Sequence, residues 1–134
     1  MQVYAHGDSM KLKIGVMGSA LDEPEAKEKA RAIGRLIAEN NCIVVTGGST
    51  GLPYEAVKSA KQAGGITVGV SPAINLEEHK KSFPPDNFDI LIFTGFEKKG
   101  RNVITVRSCD ALIFIGGGTG TLNEFTIAYD EGKV

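Results

Sequence analysis

Five short apolar runs, at 13–17, 43–46, 66–70, 90–93 and 111–115, recur along the 134-residue chain, mostly with helix-like stretches between them. Within the runs the apolar character is close to continuous, as in Ile43-Val44-Val45 and Ala111-Leu112-Ile113-Phe114-Ile115. A strand with one wet face alternates apolar and polar residues; a strand covered on both faces does not. Buried strands alternating with helices are joined by right-handed crossovers, which lay the helices on both sides of a parallel sheet. The expected fold is therefore α/β: a Rossmann-like, doubly wound parallel sheet in three α/β/α layers.

The stretches between the runs carry helix signals. Asp22-Glu23-Pro24-Glu25 offers an N-cap, a proline tolerated in the first turn and a glutamate at the capping-box position. Ala26, Ala30, Ile33 and Ile37 follow at helical spacing, to about Asn40. Pro53 opens a helix whose Ala56, Ala60 and Ala63 keep one face small, and Gly64-Gly65 ends it. A helix over 99–108 is expected to turn Val103 and Val106 inward. The last helix, from Thr121 to about Glu131, is expected to bury Leu122, Phe125 and Tyr129.

Residues 71–89 break this rhythm with Pro72, Pro84 and Pro85 and at most a short helix at 77–81. A connection of that length reads either as a lid or binding loop or as a surface insertion. Residues 1–10 are polar and unpatterned and read as a flexible leader. Glu131-Gly132-Lys133-Val134 reads as a helix end and the first residue of another strand, so a sixth strand and its helix are expected beyond it.

A formal net charge of −1 gives no basic footprint for DNA or RNA, and no nucleic-acid partner is expected. No apolar run has transmembrane length and no signal-peptide pattern is present, so no membrane partner is expected either. Cys42 and Cys109 stand outside any CxxC or Cys/His cluster and read as free buried thiols of a cytoplasmic protein. His6 and His79 lack metal-ligand spacing, and no metal is expected.

The 17 glycines cluster. Met17-Gly18-Ser19, Gly47-Gly48-Ser49-Thr50-Gly51 and residues 116–121 each follow a strand, which in a parallel sheet puts all of them at one carboxyl edge, where ligands of this architecture bind. The last two run into helices, whose first N–H groups form an anion site. Gly18, Ser19, Gly47, Gly48, Ser49, Gly117, Gly118, Thr119, Gly120 and Thr121 are accordingly the candidate contacts for a phosphorylated small molecule. GxxxxGK[ST] is absent, and GxGxxG fails in either register, with Asn123 or Thr121 at its third glycine. Residues 11–134 thus read as a single Rossmann-like nucleotide-binding domain.

Glu124 closes the last glycine stretch. A carboxylate in a first helical turn meets the macrodipole favourably; it also faces away from the Leu122, Phe125 and Tyr129 stripe, towards the site mouth. There it suits ribose hydroxyls or the positive charge that develops as a glycosidic bond breaks. Arg101, in the basic run Lys98-Lys99-Gly100-Arg101, brings the opposite charge to the same edge and matches a phosphate or ribose.

These residues resemble the LONELY GUY family, also labelled lysine-decarboxylase-like, within the SLOG group of Rossmann-like domains. Its PGGxGTxxE pattern maps onto residues 116–124, with Gly116 in place of the proline, and Thr46-Gly47-Gly48-Ser49-Thr50-Gly51-Leu52 resembles its second glycine turn. Gly100-Arg101-Asn102 sits where the family has an Arg-Lys pair. The resemblance runs from Ile14 to Val134. It implies hydrolysis of a nucleoside 5'-monophosphate to free base and ribose 5-phosphate, with Arg101 and Glu124 as catalytic residues and a homodimer or larger assembly. Asn102 replaces the family lysine, and Asn123 the first of two glutamates. This variant resembles a sister branch that includes molybdenum-cofactor carrier proteins, which implies the alternative: a pterin-type or nucleotide ligand bound without turnover. No lysine is placed to hold pyridoxal phosphate, and no resident cofactor is expected.

Overall fold

A computed structural model describes residues 10–20 and 23–134 of the chain. The strands β1 (Lys13–Gly18), β2 (Ile43–Thr46), β3 (Ile66–Ser71), β4 (Ile90–Phe93) and β5 (Ala111–Ile115) form one sheet in the order β4-β3-β2-β1-β5. Every neighbouring pair is parallel, with Ile14 in register with Val44 on one side and Ala111 on the other. The helices are α1 (Pro24–Glu39), α2 (Leu52–Gln62), α3 (Leu76–Ser82), α4 (Glu97–Ser108) and α5 (Thr119–Asp130). This is the expected Rossmann-like, three-layer architecture. The expected leader, apart from Met10, and the N-cap expected at Asp22 lie outside the described residues. Glu23 occupies the N-cap of α1 and Pro24 its first turn.

Consecutive strand residues feed opposite layers. Val16 and Val44 pack with Ile37 of α1 and with Ala56, Val57 and Ala60 of α2. Met17, Val45 and Val70 pack with Val106 of α4 and Ala128 of α5. Each fully buried valine contributes roughly 1.5–3 kcal/mol, and the double cover explains why the central strands carry no polar alternation. At the sheet margin the rule fails: β4 is an edge strand, and Ile90 and Ile92 are 51% and 44% exposed despite its unbroken apolar run.

Several inward faces differ from expectation. Ala63 is the exposed C-cap of α2, and Val57 fills the face with Ala56 and Ala60. In α4 Val103 is only half-buried, whereas Arg101, Asn102, Thr105 and Val106 are buried. The largest correction falls on α5. Leu122, Phe125 and Tyr129 are 60%, 50% and 81% exposed, and the buried residues are Glu124 and Ala128. The helix lies against α4, β1 and β5, with β5 at the sheet margin, so the side that meets the protein is its Glu124–Ala128 side. Past α5 the chain returns to the outer edge of β5, where Leu112 N–H donates to the Val134 carbonyl at 2.9 Å.

Residues 71–89 contain α3, capped by Asn75, whose Oδ1 accepts from Glu78 N–H at 2.9 Å. His79 anchors this segment from a fully buried position. Its Nε2 lies 3.2 Å from the Pro84 carbonyl, which can only accept, so Nε2 carries the proton and Nδ1 accepts from the Ser71 hydroxyl at 2.8 Å.

Candidate functional site

The strand order reverses at β1, which has β2 on one side and β5 on the other, so the turns after these strands converge at one carboxyl edge. Ser19 ties them together: its N–H donates to the Ile115 carbonyl at 3.2 Å, and its carbonyl accepts from Leu52 N–H at 2.9 Å. The β2 turn is shaped by Thr46, whose hydroxyl accepts from Gly48 N–H at 3.2 Å.

Arg101 reaches this edge from the second turn of α4, which begins at Glu97 rather than Lys99. Its Nη1 donates to the carbonyls of Gly47 and Val70, and its Nε to that of Lys98. The guanidinium passes so close under Gly47 that a Cβ there would collide with it. A side chain at this position would have to move the guanidinium aside. Burial lowers the pKa of Arg101, with Glu124 opposing the shift.

The last glycine stretch leads into α5, which starts at Thr119, two residues before the expected Thr121. Thr119, Gly120 and Thr121 therefore form its first turn, with no acidic residue there and no side chain capping it. Their N–H groups have no intrahelical acceptor. Gly117 holds φ +130°, and a Cβ on it would strike Thr121. Glu124 consequently lies in the second turn rather than beside the first N–H groups. It is 9% exposed, and burial raises its carboxyl to about 7, with Arg101 opposing.

Arg101 and Glu124 line one cleft of about 160 Å³ together with Gly18, Gly47, Ser49, Gly120 and Thr121. The two charges influence each other without forming an ion pair. Among the described residues, Arg101 Nη2 and the Glu124 carboxyl have no hydrogen-bonding partner, although the residues are 7% and 9% exposed. Every fully buried side-chain N or O among the described residues has a partner, so these unpartnered atoms open onto the cleft. An anion can meet the guanidinium and the first turn of α5 while a carboxyl with a near-neutral pKa stands beside it.

The other candidate contacts lie around the cleft. Gly48 packs behind it against Ser71 and His79. Gly117 and Gly118 line a neighbouring hollow with Phe114, Leu122 and Phe125, which shares Thr121 with the cleft. Thr119 borders a groove of about 750 Å³ between α4 and α5. Lys98, Pro53 and Asn102 line the cleft without having been singled out as contacts. For Asn102 the signal was its place beside Arg101; Lys98 and Pro53 carried none that separates them from a helix terminus. Among the described residues no group of three or more His, Cys, Asp or Glu is placed to hold a metal ion.

The sequence profile of the SLOG cluster4 family matches residues 11–134. An uncharacterized protein of Archaeoglobus fulgidus is 42% identical over 122 residues, spanning 91% of this chain and 76% of its own. The cytokinin riboside 5'-monophosphate phosphoribohydrolase of Mycobacterium marinum is 35% identical over 115 residues, 85% of this chain and 59% of the relative. The molybdenum cofactor binding protein of Rippkaea orientalis superposes with a TM-score of 0.84 at 36% identity, covering 94% of this chain and 75% of the other. The molybdenum cofactor carrier protein of Chlamydomonas reinhardtii gives 0.81 at 35%, covering 92% and 74%.

Proposed function

The chain belongs to the SLOG cluster4 family, and from that footing we propose that its cleft binds the phosphate of a nucleotide-type ligand and hydrolyses a nucleoside 5'-monophosphate at its N-glycosidic bond. One observation carries this reading: Arg101 and Glu124, both largely buried residues, leave unpartnered polar atoms open to a cleft walled by glycine turns. The N–H groups of residues 119–121 hold the phosphate. Arg101 Nη2 orients phosphate or ribose while Nη1 stays on the Gly47 carbonyl. As the bond from C1' to the base nitrogen breaks, its electron pair leaves with the base. Ionised Glu124 stabilises the positive charge on the sugar carbon and takes the proton of the water that adds there. The base nitrogen takes its proton from solvent, leaving free base and ribose 5-phosphate.

The cytokinin phosphoribohydrolase relatives support this chemistry, and the molybdenum cofactor binding and carrier structures support equally a second reading, in which the same cleft binds a phosphorylated cargo without turnover. The amides Asn102 and Asn123, in place of a lysine and a glutamate, favour that second reading. Base release from a panel of purine and cytokinin monophosphates separates the two. Free base in stoichiometric excess over protein supports the enzyme, and none across the panel supports the carrier. The family resemblance further implies a homodimer or larger assembly in the cytoplasm; light scattering at micromolar concentration should give at least twice the chain mass, and a monomer overturns that assignment.

A further inference from the structure

Asn102 and Asn123 stand where the resemblance puts a lysine and a glutamate, and the two replacements meet. Asn102 Nδ2–H donates to Asn123 Oδ1 at 3.0 Å, linking α4 to α5. Asn102 is 4% exposed, whereas Asn123 is at the surface. The link lies at a boundary: Lys98, Asn102 and Gly120 line both the inner cleft and the larger groove, and Asn123, Val103 and Ile127 line only the groove. At about 160 Å³ the cleft is smaller than the roughly 300–1,000 Å³ of sites that enclose a whole small-molecule ligand, and the adjoining groove adds about 750 Å³.

We propose that the groove between α4 and α5 is the subsite for a neutral heterocycle attached to the phosphorylated part in the cleft, and that the Asn102–Asn123 amide pair reads that ring's hydrogen-bonding edge. This rests on the phosphate-ligand reading of the cleft. After bonding each other, the amides still offer the Asn102 carbonyl oxygen as acceptor and the Asn123 NH₂ as donor. Reversing the pair exchanges the two roles and leaves the same donor and acceptor set. An adjacent donor and acceptor matches a lactam or amino-imine edge, which nucleobases and pterins share. Val103 and Ile127 give the ring apolar contact, as sites of mixed apolar walls and few polar groups do. Amides carry no charge at any working pH, so the pair selects by hydrogen-bond pattern. A lysine and a glutamate at these positions would select by charge.

The test measures Kd by calorimetry for wild type, Asn123→Ala and the near-isosteric Asn102→Asp. The probes are AMP, GMP, a 6-substituted pterin phosphate and ribose 5-phosphate, with free adenine and free pterin alongside. Asn123 is exposed, so its variant should melt like wild type. Asn123→Ala should weaken at least one ring-bearing phosphate by roughly tenfold and leave ribose 5-phosphate unchanged. Loss confined to AMP or GMP assigns a nucleobase; loss confined to the pterin assigns a pterin. Equal weakening of ribose 5-phosphate, or no change for any ring-bearing probe in either variant, overturns the subsite. Wild type that fails to bind ribose 5-phosphate while binding free adenine or pterin counts against the phosphate cleft. The two variants then still test the groove with the free ring.

Discussion

Arg101 is oriented by protein carbonyls before any ligand arrives, because Gly47 leaves room for its guanidinium. A methyl at that position must displace either the turn or the arginine. Gly47→Ala is therefore expected to cost about 1–3 kcal/mol, as overpacking does, and to weaken phosphate binding with it; a thermal melt and a ribose 5-phosphate titration check both. An unchanged melt would mean that the approach is looser than it is here. Glu124 makes the complementary case. Its charge acts on a sugar carbon that is positive only in the transition state, so Glu124→Gln should slow base release at least roughly a hundredfold while Kd changes only a few-fold. Because the ionised carboxyl is the working form and its pKa is about 7, release by wild type should rise with pH through that value. In the Gln variant this inflection should vanish.

Among the elements, α5 departs most from its reading in the sequence. Leu122, Phe125 and Tyr129 at helical spacing look like a core stripe, yet the protein-facing side holds Glu124 and Ala128. Periodicity locates an apolar face but cannot say what that face meets, and here β5 at the sheet margin leaves it open. Tyr129→Ser should change stability by no more than about 0.5 kcal/mol. Ala128→Leu should cost about 1–3 kcal/mol through overpacking, and urea melts of the pair test the orientation. A destabilised Tyr129→Ser would restore the stripe to the core. The strands were legible because each is a short run with glycine, proline or polar residues after it; β2, β4 and β5 have the expected bounds. Gly18, Gly47, Ser49, Arg101, Gly120, Thr121 and Glu124 converge because a parallel order brings the turns after β1, β2 and β5 to one edge. What sequence does not carry is depth. Nothing in Lys98-Lys99-Gly100-Arg101 says that Arg101 is buried while Lys98 and Lys99 are exposed.

For the molecule as a whole, the Glu124 carboxyl, on a largely buried residue and open to the cleft, links ligand, proton and stability. Folding raises Glu124 from 4.5 to about 7, so between those values the folded state holds a proton that the unfolded state has lost. Its contribution is fully present below about pH 4.5 and disappears as pH rises through about 7; the full shift is on the order of 3 kcal/mol. Glu124→Gln keeps the neutral form at every pH. Its stability relative to wild type should therefore increase from pH 4 to pH 8, which denaturant melts at fixed ionic strength can follow. Parallel pH profiles would show that Glu124 is not the group responsible. A phosphate brought to the same cleft disfavours the carboxylate further, so ribose 5-phosphate should bind wild type with proton uptake near neutrality. Calorimetry in buffers of different ionisation enthalpy measures that uptake, and Glu124→Gln should abolish it. If the uptake persists in the variant, the proton resides on the ligand phosphate rather than on Glu124, and the cleft carboxyl does not sense the ligand.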